Sequence, residues 1–266
     1  MAAGDGEATR LAELGVTRIR AENPGPMTLS GSNSWLVGAG PVYLVDPGPD
    51  LAGHIAALDA AIGAHGPLET VLVTHGHADH TGALPALLAA HRAPVAAADP
   101  GADLPLADGV RVGPFSAVFT GGHSPDHYAF VADGACFTGD AVLGEGSVFV
   151  SPGPGSLRGY LEALGRLADD EQIQVLCPGH GPAVWEPQER LRGYVAHRLE
   201  REERLLAALA AGRRSTDELL DDAWSDAPAN LRPAAAVTLA AHLEKLAEEG
   251  RLPDGVERQR IAPTDW

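Results

Sequence analysis

Short apolar runs bordered by Gly, Pro and Asp recur along the first two-thirds of the chain: NSWLVG (33–38), VYLVD (42–46), TVLVT (70–74), APVAAA (93–98), SAVFTG (116–121), YAFVAD (128–133), ACFTGD (135–140) and IQVLCPG (173–179). Their length, β-branched content and turn-forming borders predict strands. The DG pair between the runs at 128 and 135 predicts a tight hairpin. Helical spacing interrupts them twice. Residues 50–66 carry apolar side chains at 51, 55, 58 and 62, and residues 156–170 carry them at 157, 160, 161, 164 and 167, with Ser156 placed to cap the N-terminus. Strands mixed with helices define an α/β (α+β) sandwich.

Past Pro187 the strand pattern stops. A long amphipathic helix over 187–212 precedes helical segments at 215–224 and 231–250, and RLPDGVERQRI (251–261) reads as a β-turn-β ribbon. Three helices and a ribbon make a small winged-helix-like lobe. The expected organisation is therefore a main domain over 1–186 and a helical, winged-helix-like domain over 187–266. Such a lobe also serves packing and dimerisation, so a homodimer is one expectation for it.

The 266 residues carry 19 Lys/Arg against 36 Asp/Glu, a net charge of −17. Residues 1–185 hold 7 basic and 20 acidic side chains, a net of −13, so the broad electrostatic footprint of a nucleic-acid binder is missing where the strands lie. In the helical lobe the Arg residues are interleaved with Glu200, Glu202 and Glu203, the pattern of a solvated, ion-paired face. No apolar stretch reaches membrane-spanning length and no signal-like leader is visible, so no membrane partner and a cytoplasmic location are expected. Cys136 and Cys177 each sit inside an apolar run, which suits buried thiols rather than a disulfide scaffold.

One stretch departs from all this. VLVTHGHADHTG (71–82) packs His75, His77, Asp79 and His80 into six positions directly after an apolar strand. Alternation along an extended segment puts His75 and His77 on one side. Asp79 and His80 follow where the chain turns into the helical TGALPALLAAH, so neighbouring side chains can point to different ions. Imidazole and carboxylate suit zinc. Further ligands must come from elsewhere, and His123 (TGGHSPDH), Asp140 (TGDAVLGEG) and His180 (CPGHGP) each stand at a strand-to-loop transition beside glycine. His75, His77 and His123 would form one site, and Asp79, His80 and His180 a second, with Asp140 bridging. Five His and two Asp at strand ends would be a poor way to build a stable core. His54, His65, His91 and His242, by contrast, read as ordinary solvated histidines.

The runs THGHADHTG, GGHSPDH, FTGDAVLGEG and CPGHGP together resemble the metallo-β-lactamase superfamily, and GDAVLGEGSVFV, YVAHRLEREE and LAAHLEKLAEEGRL resemble its lactamase-β-like 2 branch, a relative of glyoxalase II. The resemblance covers essentially the whole chain. It implies an αββα sandwich with a di-metal site at the sheet edge, holding two Zn2+, with iron or manganese as the other metals it allows. It implies a hydrolase whose nucleophile is a metal-bridging hydroxide, water's pKa falling from 15.7 towards roughly 7. Asp79 then both ligates and orients. Thr74, Ser124 and Asp126 are placed to hydrogen-bond the outer nitrogens of ligating imidazoles. His127 shares that role or contacts substrate, and Tyr194 and His197, three apart on the long helix, are candidate substrate contacts.

For the substrate the expectation is an acyl compound, a thioester, ester or lactam, small or carrier-bound. The alternative is a single-strand endoribonuclease of the lactamase-β-like 2 type, for which RNA is the partner. Few basic residues and 5% aromatics weigh against RNA. A non-enzymatic DNA-reading lobe is weaker still, since its candidate recognition helix has only Arg232 and Lys245 as basic residues.

Overall fold

Alternation along the strands explains why nearly every side chain in them is buried. In β2 (Asn33–Val37), Trp35 and Val37 join one apolar cluster while Leu36 joins another. The same division holds for Val45 against Val42 and Leu44 in β3 (Val42–Val45), and for Leu72 against Val71 in β4 (Leu68–Leu72). Successive side chains of a strand face opposite ways, so this sheet has apolar material on both faces. The computed structural model describes residues 3–258, with side chains from residue 6 onward. Its packing divides into two compact units, one drawn from residues up to Phe119, Asp126–Gly146 and Asp170–Pro187, the other from Thr120–Pro125, Ser147–Asp169 and Gln188 onward. The last cut falls one residue from the expected 186/187 boundary, but two earlier stretches also go with the helical unit.

The first unit opens with α1 (Ala3–Glu13) and β1 (Val16–Arg20), neither of which the apolar pattern had marked. One sheet runs β1-β2-β3-β4-β5-β6, completed by β5 (Val95–Ala97) and β6 (Leu104–Pro105). The other runs β11-β10-β9-β8-β7, built from β7 (Arg111–Val112), β8 (Phe115–Phe119), β9 (Tyr128–Ala132), β10 (Ala135–Gly139) and β11 (Val175–Pro178). Trp35, Phe115, Phe130 and Phe137 meet in one core, with Phe115 and Phe137 5.7 Å apart edge to face. Truncating such a ring to alanine costs about 3–5 kcal/mol. The opposite face of the first sheet is covered by α2 (Ala52–His65) and α4 (Leu84–His91), through Leu58, Ile62 and Leu87. Cys136 and Cys177 lie in β10 and β11, both fully buried and unpaired, and burial pushes the Cys136 thiol up to about 12.

The second unit contains α5 (Ser156–Ala168), α6 (Pro187–Ala210), α7 (Thr216–Ala223) and α8 (Arg232–Glu248). Two expectations change here. Ser156 does not cap α5. Gly155 takes the N-cap position at φ +69°, and the Ser156 hydroxyl donates to the Ser151 carbonyl, 2.8 Å. Nor do residues 251–258 form strands. Glu257 N–H donates to the Arg214 carbonyl and Thr216 N–H donates to the Glu257 carboxylate, which ties the segment to the start of α7 in place of a ribbon; residues 259–261 of the expected ribbon lie outside the described residues. Helix α7 itself starts with a full capping box, Ser215 with Glu218. Among the described residues no helix is long and apolar enough to cross a membrane.

His242, read from sequence as solvated, is fully buried in α8 against the Trp224 ring. Burial lowers its pKa, Glu202 opposes that at 3.5 Å, and Arg198 and Lys245 reinforce it. The folded chain therefore keeps this imidazole neutral, whereas the unfolded chain protonates it near pH 6.5. Its stabilisation is fully present above about pH 6.5 and is lost as pH falls through the depressed folded value. The urea midpoint of the wild type should drop more between pH 8 and pH 5.5 than that of His242→Gln; equal drops would show that His242 does not titrate in this window.

Candidate metal centre

Parallel pairing places the reactive side chains. β3 and β4 run parallel, as do β10 and β11, so each sheet presents a pair of carboxyl ends from which the chain exits side by side. Such ends are the usual location for sites in mixed sheets. Asp46 follows β3, His75 and His77 follow β4, Asp140 follows β10 and His180 follows β11. After His77 the chain closes one short helical turn, α3 (Ala78–Thr81), which carries Asp79 and His80.

The geometry among these residues is close. His180 Nε2 lies 3.2 Å from Asp79 Oδ2 and 3.3 Å from Asp140 Oδ2. His80 Nε2 lies 3.4 Å from Asp140 Oδ1 and 3.6 Å from Asp79 Oδ2. His75 Nε2 and His77 Nδ1 are 3.0 Å apart. Candidate ligand atoms of Asp79, His80 and His180 all fall within 4.8 Å of one another, and so do those of His75, His80 and Asp140. His123 is buried in the second unit, where its ring faces Phe149 at 4.7 Å and its carbonyl accepts from Ser151 Oγ at 2.8 Å.

This donor set fits divalent metal. His80 Nε2 is completely buried with no hydrogen-bond partner, aimed at carboxylate oxygens slightly beyond bonding distance. A buried polar atom left so is costly unless something else satisfies it. The electrostatics agree. Burial alone would raise Asp79, but the hydrogen bond from His180 and the charge of His80 hold it at about 2. Burial would lower His180, yet Asp140 and Asp79 carry it up to about 9. Asp140 is likewise held well below the usual carboxylate range against its own burial, by His80 and His180. Carboxylates this strongly ionised in a buried cluster attract cations, and imidazole and carboxylate without thiolate suit zinc, iron or manganese.

Sequence reasoning missed Asp46. It is buried at φ +54°, in the left-handed region that costs a non-glycine residue about 1–3 kcal/mol. Its Oδ2 accepts from Thr74 Oγ1 and pairs with His80 Nδ1, each at 2.8 Å, and its Oδ1 accepts from Thr74 N–H. A carboxylate on the outer nitrogen fixes the ring and makes its other nitrogen a better ligand. The only sequence signal was an Asp ending an apolar run before Pro-Gly. His54, expected to be solvated, is buried under that turn, with Nε2 3.0 Å from Ser34 Oγ and 3.2 Å from the Pro47 carbonyl.

The residues expected to support the ligands take several positions. Thr74 Oγ1 is 3.0 Å from His75 Nδ1, as anticipated, while an Asp126 oxygen accepts from Gly76 N–H at 2.8 Å. Ser124 is buried in the second unit. His127 is fully buried, stacks on the His75 ring at 4.8 Å and accepts from Asp140 N–H at 3.0 Å, which is a positioning geometry. Tyr194 and His197 lie in the second unit; the Arg190 guanidinium sits 5.0 Å over the Tyr194 ring, and His197 Nε2 accepts from Arg201. Beside His75 the first unit also has a cavity of about 430 Å3, floored by Val73, Leu84, Val95 and Ala97 and rimmed by Asp99, Asp103 and Asp126.

The sequence matches the metallo-beta-lactamase superfamily over residues 27–112 and the beta-lactamase associated winged helix domain over residues 215–255. It is 31% identical over 268 residues to a beta-lactamase-like protein 2 homolog of Drosophila melanogaster, covering 89% of each chain. It is 35% identical over 214 residues to an atrochrysone carboxyl ACP thioesterase of Aspergillus chevalieri, covering 75% of this chain and 67% of that one. A metallo-beta-lactamase family protein from Thermus thermophilus superposes with a TM-score of 0.69 at 28% identity, over 89% of this chain and 94% of the other. The chain therefore belongs to the metallo-beta-lactamase superfamily of hydrolases, a fold that implies divalent metal at the His/Asp cluster.

Gly179 leaves no room for a side chain: a Cβ there would overlap Asp140 Oδ1 and His80 Cε1. Gly179→Ala should displace both by several tenths of an ångström and lower turnover about 100-fold, with the far-ultraviolet circular dichroism unchanged. Full activity in this variant would show that the cluster is not the reaction centre.

Proposed function

We propose that this chain is a two-metal hydrolase of acyl substrates, thioesters or esters that are small or borne on a carrier, with zinc as the metal. In this reading Asp79, His80 and His180 would hold one ion, His75 and His77 would contribute to the other, and Asp140 would serve both. The observation that carries it is the convergence of Asp79, His80, Asp140 and His180 within 3.2–3.6 Å. When bound, the ions supply Lewis-acid polarisation of a carbonyl oxygen and activation of water. Around them the chain's own residues orient and support. Asp79 would both ligate an ion and orient the attacking water, Asp46 fixes the His80 ring, and His127 steadies the Asp140 backbone.

The acyl assignment draws support from the cavity beside His75. Its apolar floor suits a hydrocarbon or ring, while its three Asp, with no Lys or Arg among the described lining residues to offset them, repel phosphate. The first 185 residues carry a net charge of −13 in the same sense. The thioesterase from Aspergillus chevalieri supports it further, since that relative is named for an acyl carrier substrate. RNA cleavage is the competing reading.

Metal analysis of purified protein should give close to two divalent ions per chain, and chelation should abolish turnover. Asp79→Asn should lower kcat by about 100-fold or more with little change in thermal midpoint; retained activity would remove Asp79 from the reaction. A panel of acyl thioesters, a chromogenic lactam and labelled single-stranded RNA ranks the substrates. Thioester hydrolysis should be fastest, and faster RNA cleavage would reverse the assignment.

A further inference from the structure

The segment Gly31–Asn33, entering β2, runs along the loop that carries His180. Ser32 and His180 form an isolated antiparallel bridge, Asn33 N–H donates to the Gly179 carbonyl at 2.7 Å, and Asn33 Nδ2 donates to the carbonyls of Pro178 and Gly181. Within this segment the Ser32 side chain is the one that reaches a candidate ligand. Its hydroxyl lies 3.3 Å from Asp79 Oδ2, and it is 1% exposed. Behind it stands Asn23, whose Oδ1 accepts the Ser32 backbone N–H at 2.9 Å. That contact fixes the orientation of the amide, so its NH2 group is the one facing Ser32 Oγ, also at 2.9 Å. An amide N–H can only donate, and it occupies an acceptor site of the hydroxyl. The hydroxyl proton is left to point forward, at the Asp79 carboxylate.

We propose that Ser32 is a positioning residue for Asp79, with its hydroxyl aimed by Asn23. The proposal rests on the reading of Asp79 as a metal ligand. The relay Asn23 N–H to Ser32 O–H to Asp79 Oδ2 holds the carboxylate oxygen that also faces His180 and His80. Among the described residues the hydrogen bonds of the Asn23 side chain go to Ser32 and to none of the ligand residues, so its influence passes through the serine. The remainder of its neighbourhood is local: the Thr28 hydroxyl donates to the Asn23 carbonyl at 2.6 Å.

Asn23→Asp separates this relay from mere packing. The aspartate has the same shape and still accepts the Ser32 backbone N–H, but when ionised it has no proton to donate. Its second oxygen draws the Ser32 hydroxyl backward and takes the hydrogen bond from Asp79. Zinc affinity, measured by competition with a colorimetric chelator, should weaken about 10- to 100-fold for the more weakly held ion in both Asn23→Asp and Ser32→Ala. Ser32→Thr, which keeps the hydroxyl, should stay close to wild type, and thermal midpoints should be similar across the set. Wild-type zinc affinity in Asn23→Asp overturns the proposal, as does an equal loss in Ser32→Thr and Ser32→Ala. Wild-type protein that binds no zinc, iron or manganese overturns the metal reading instead, and so the two failures are distinguishable. Should Ser32→Ala misfold, the half-buried Asn23 position still decides the matter.

Discussion

A buried carboxylate cannot be left unsatisfied, and at Asp46 that requirement joins two strands and a helical turn. Its oxygens are filled by the Thr74 amide, the Thr74 hydroxyl and the His80 ring. The chain leaving β3 is thereby tied to the chain leaving β4, and the short helix α3 is rotated so that His80 Nε2 faces Asp79 and Asp140. The left-handed backbone at Asp46 is strain held in place by these three bonds. His54, under the following turn, supports it from the side of α2. Much of what a cation would find at the end of the first sheet follows from this one residue.

The cluster beyond it is a concentration of opposing charge under little water. Asp79 and Asp140 are ionised more strongly than free carboxylates, and His80 and His180 are more basic than free imidazoles, because each pair supports the other against the penalty of burial. The acidity of the whole chain has its local counterpart in the cavity next to His75, where three Asp stand over an apolar floor. Electrostatics at both scales is unfavourable to polyanions.

The strands and helices were legible from period alone. Eight strands and the principal helices stand within a few residues of their apolar runs, because burial on both faces writes continuous hydrophobic segments into the sequence. The short strands β6 and β7 have too few residues to carry a pattern, and α1 sits in a stretch of mixed polarity. In the site, HGHADH was legible because its residue types are crowded in sequence. Asp46, Ser32 and Asn23 were not, since each acts through a partner 34, 47 or 9 positions away. Histidine misled in the other direction: His54 and His242 resemble surface residues in sequence, yet they fill interior space as neutral rings. The boundary of the second unit was only partly legible, because α5 packs with α8 while lying between strands of the first unit in sequence.

Parallel strand ends gather the site from distant parts of the chain, with Asn33 bonded to Pro178 across 145 positions. This has a consequence for synthesis. A nascent chain that has emerged only as far as α4 already contains Asp46, His75, His77, Asp79 and His80, but neither Asp140 nor His180. Contacts of such long range close late in folding. The growing polypeptide thus holds only part of the His/Asp cluster until β11 has left the ribosome and taken its place beside β10.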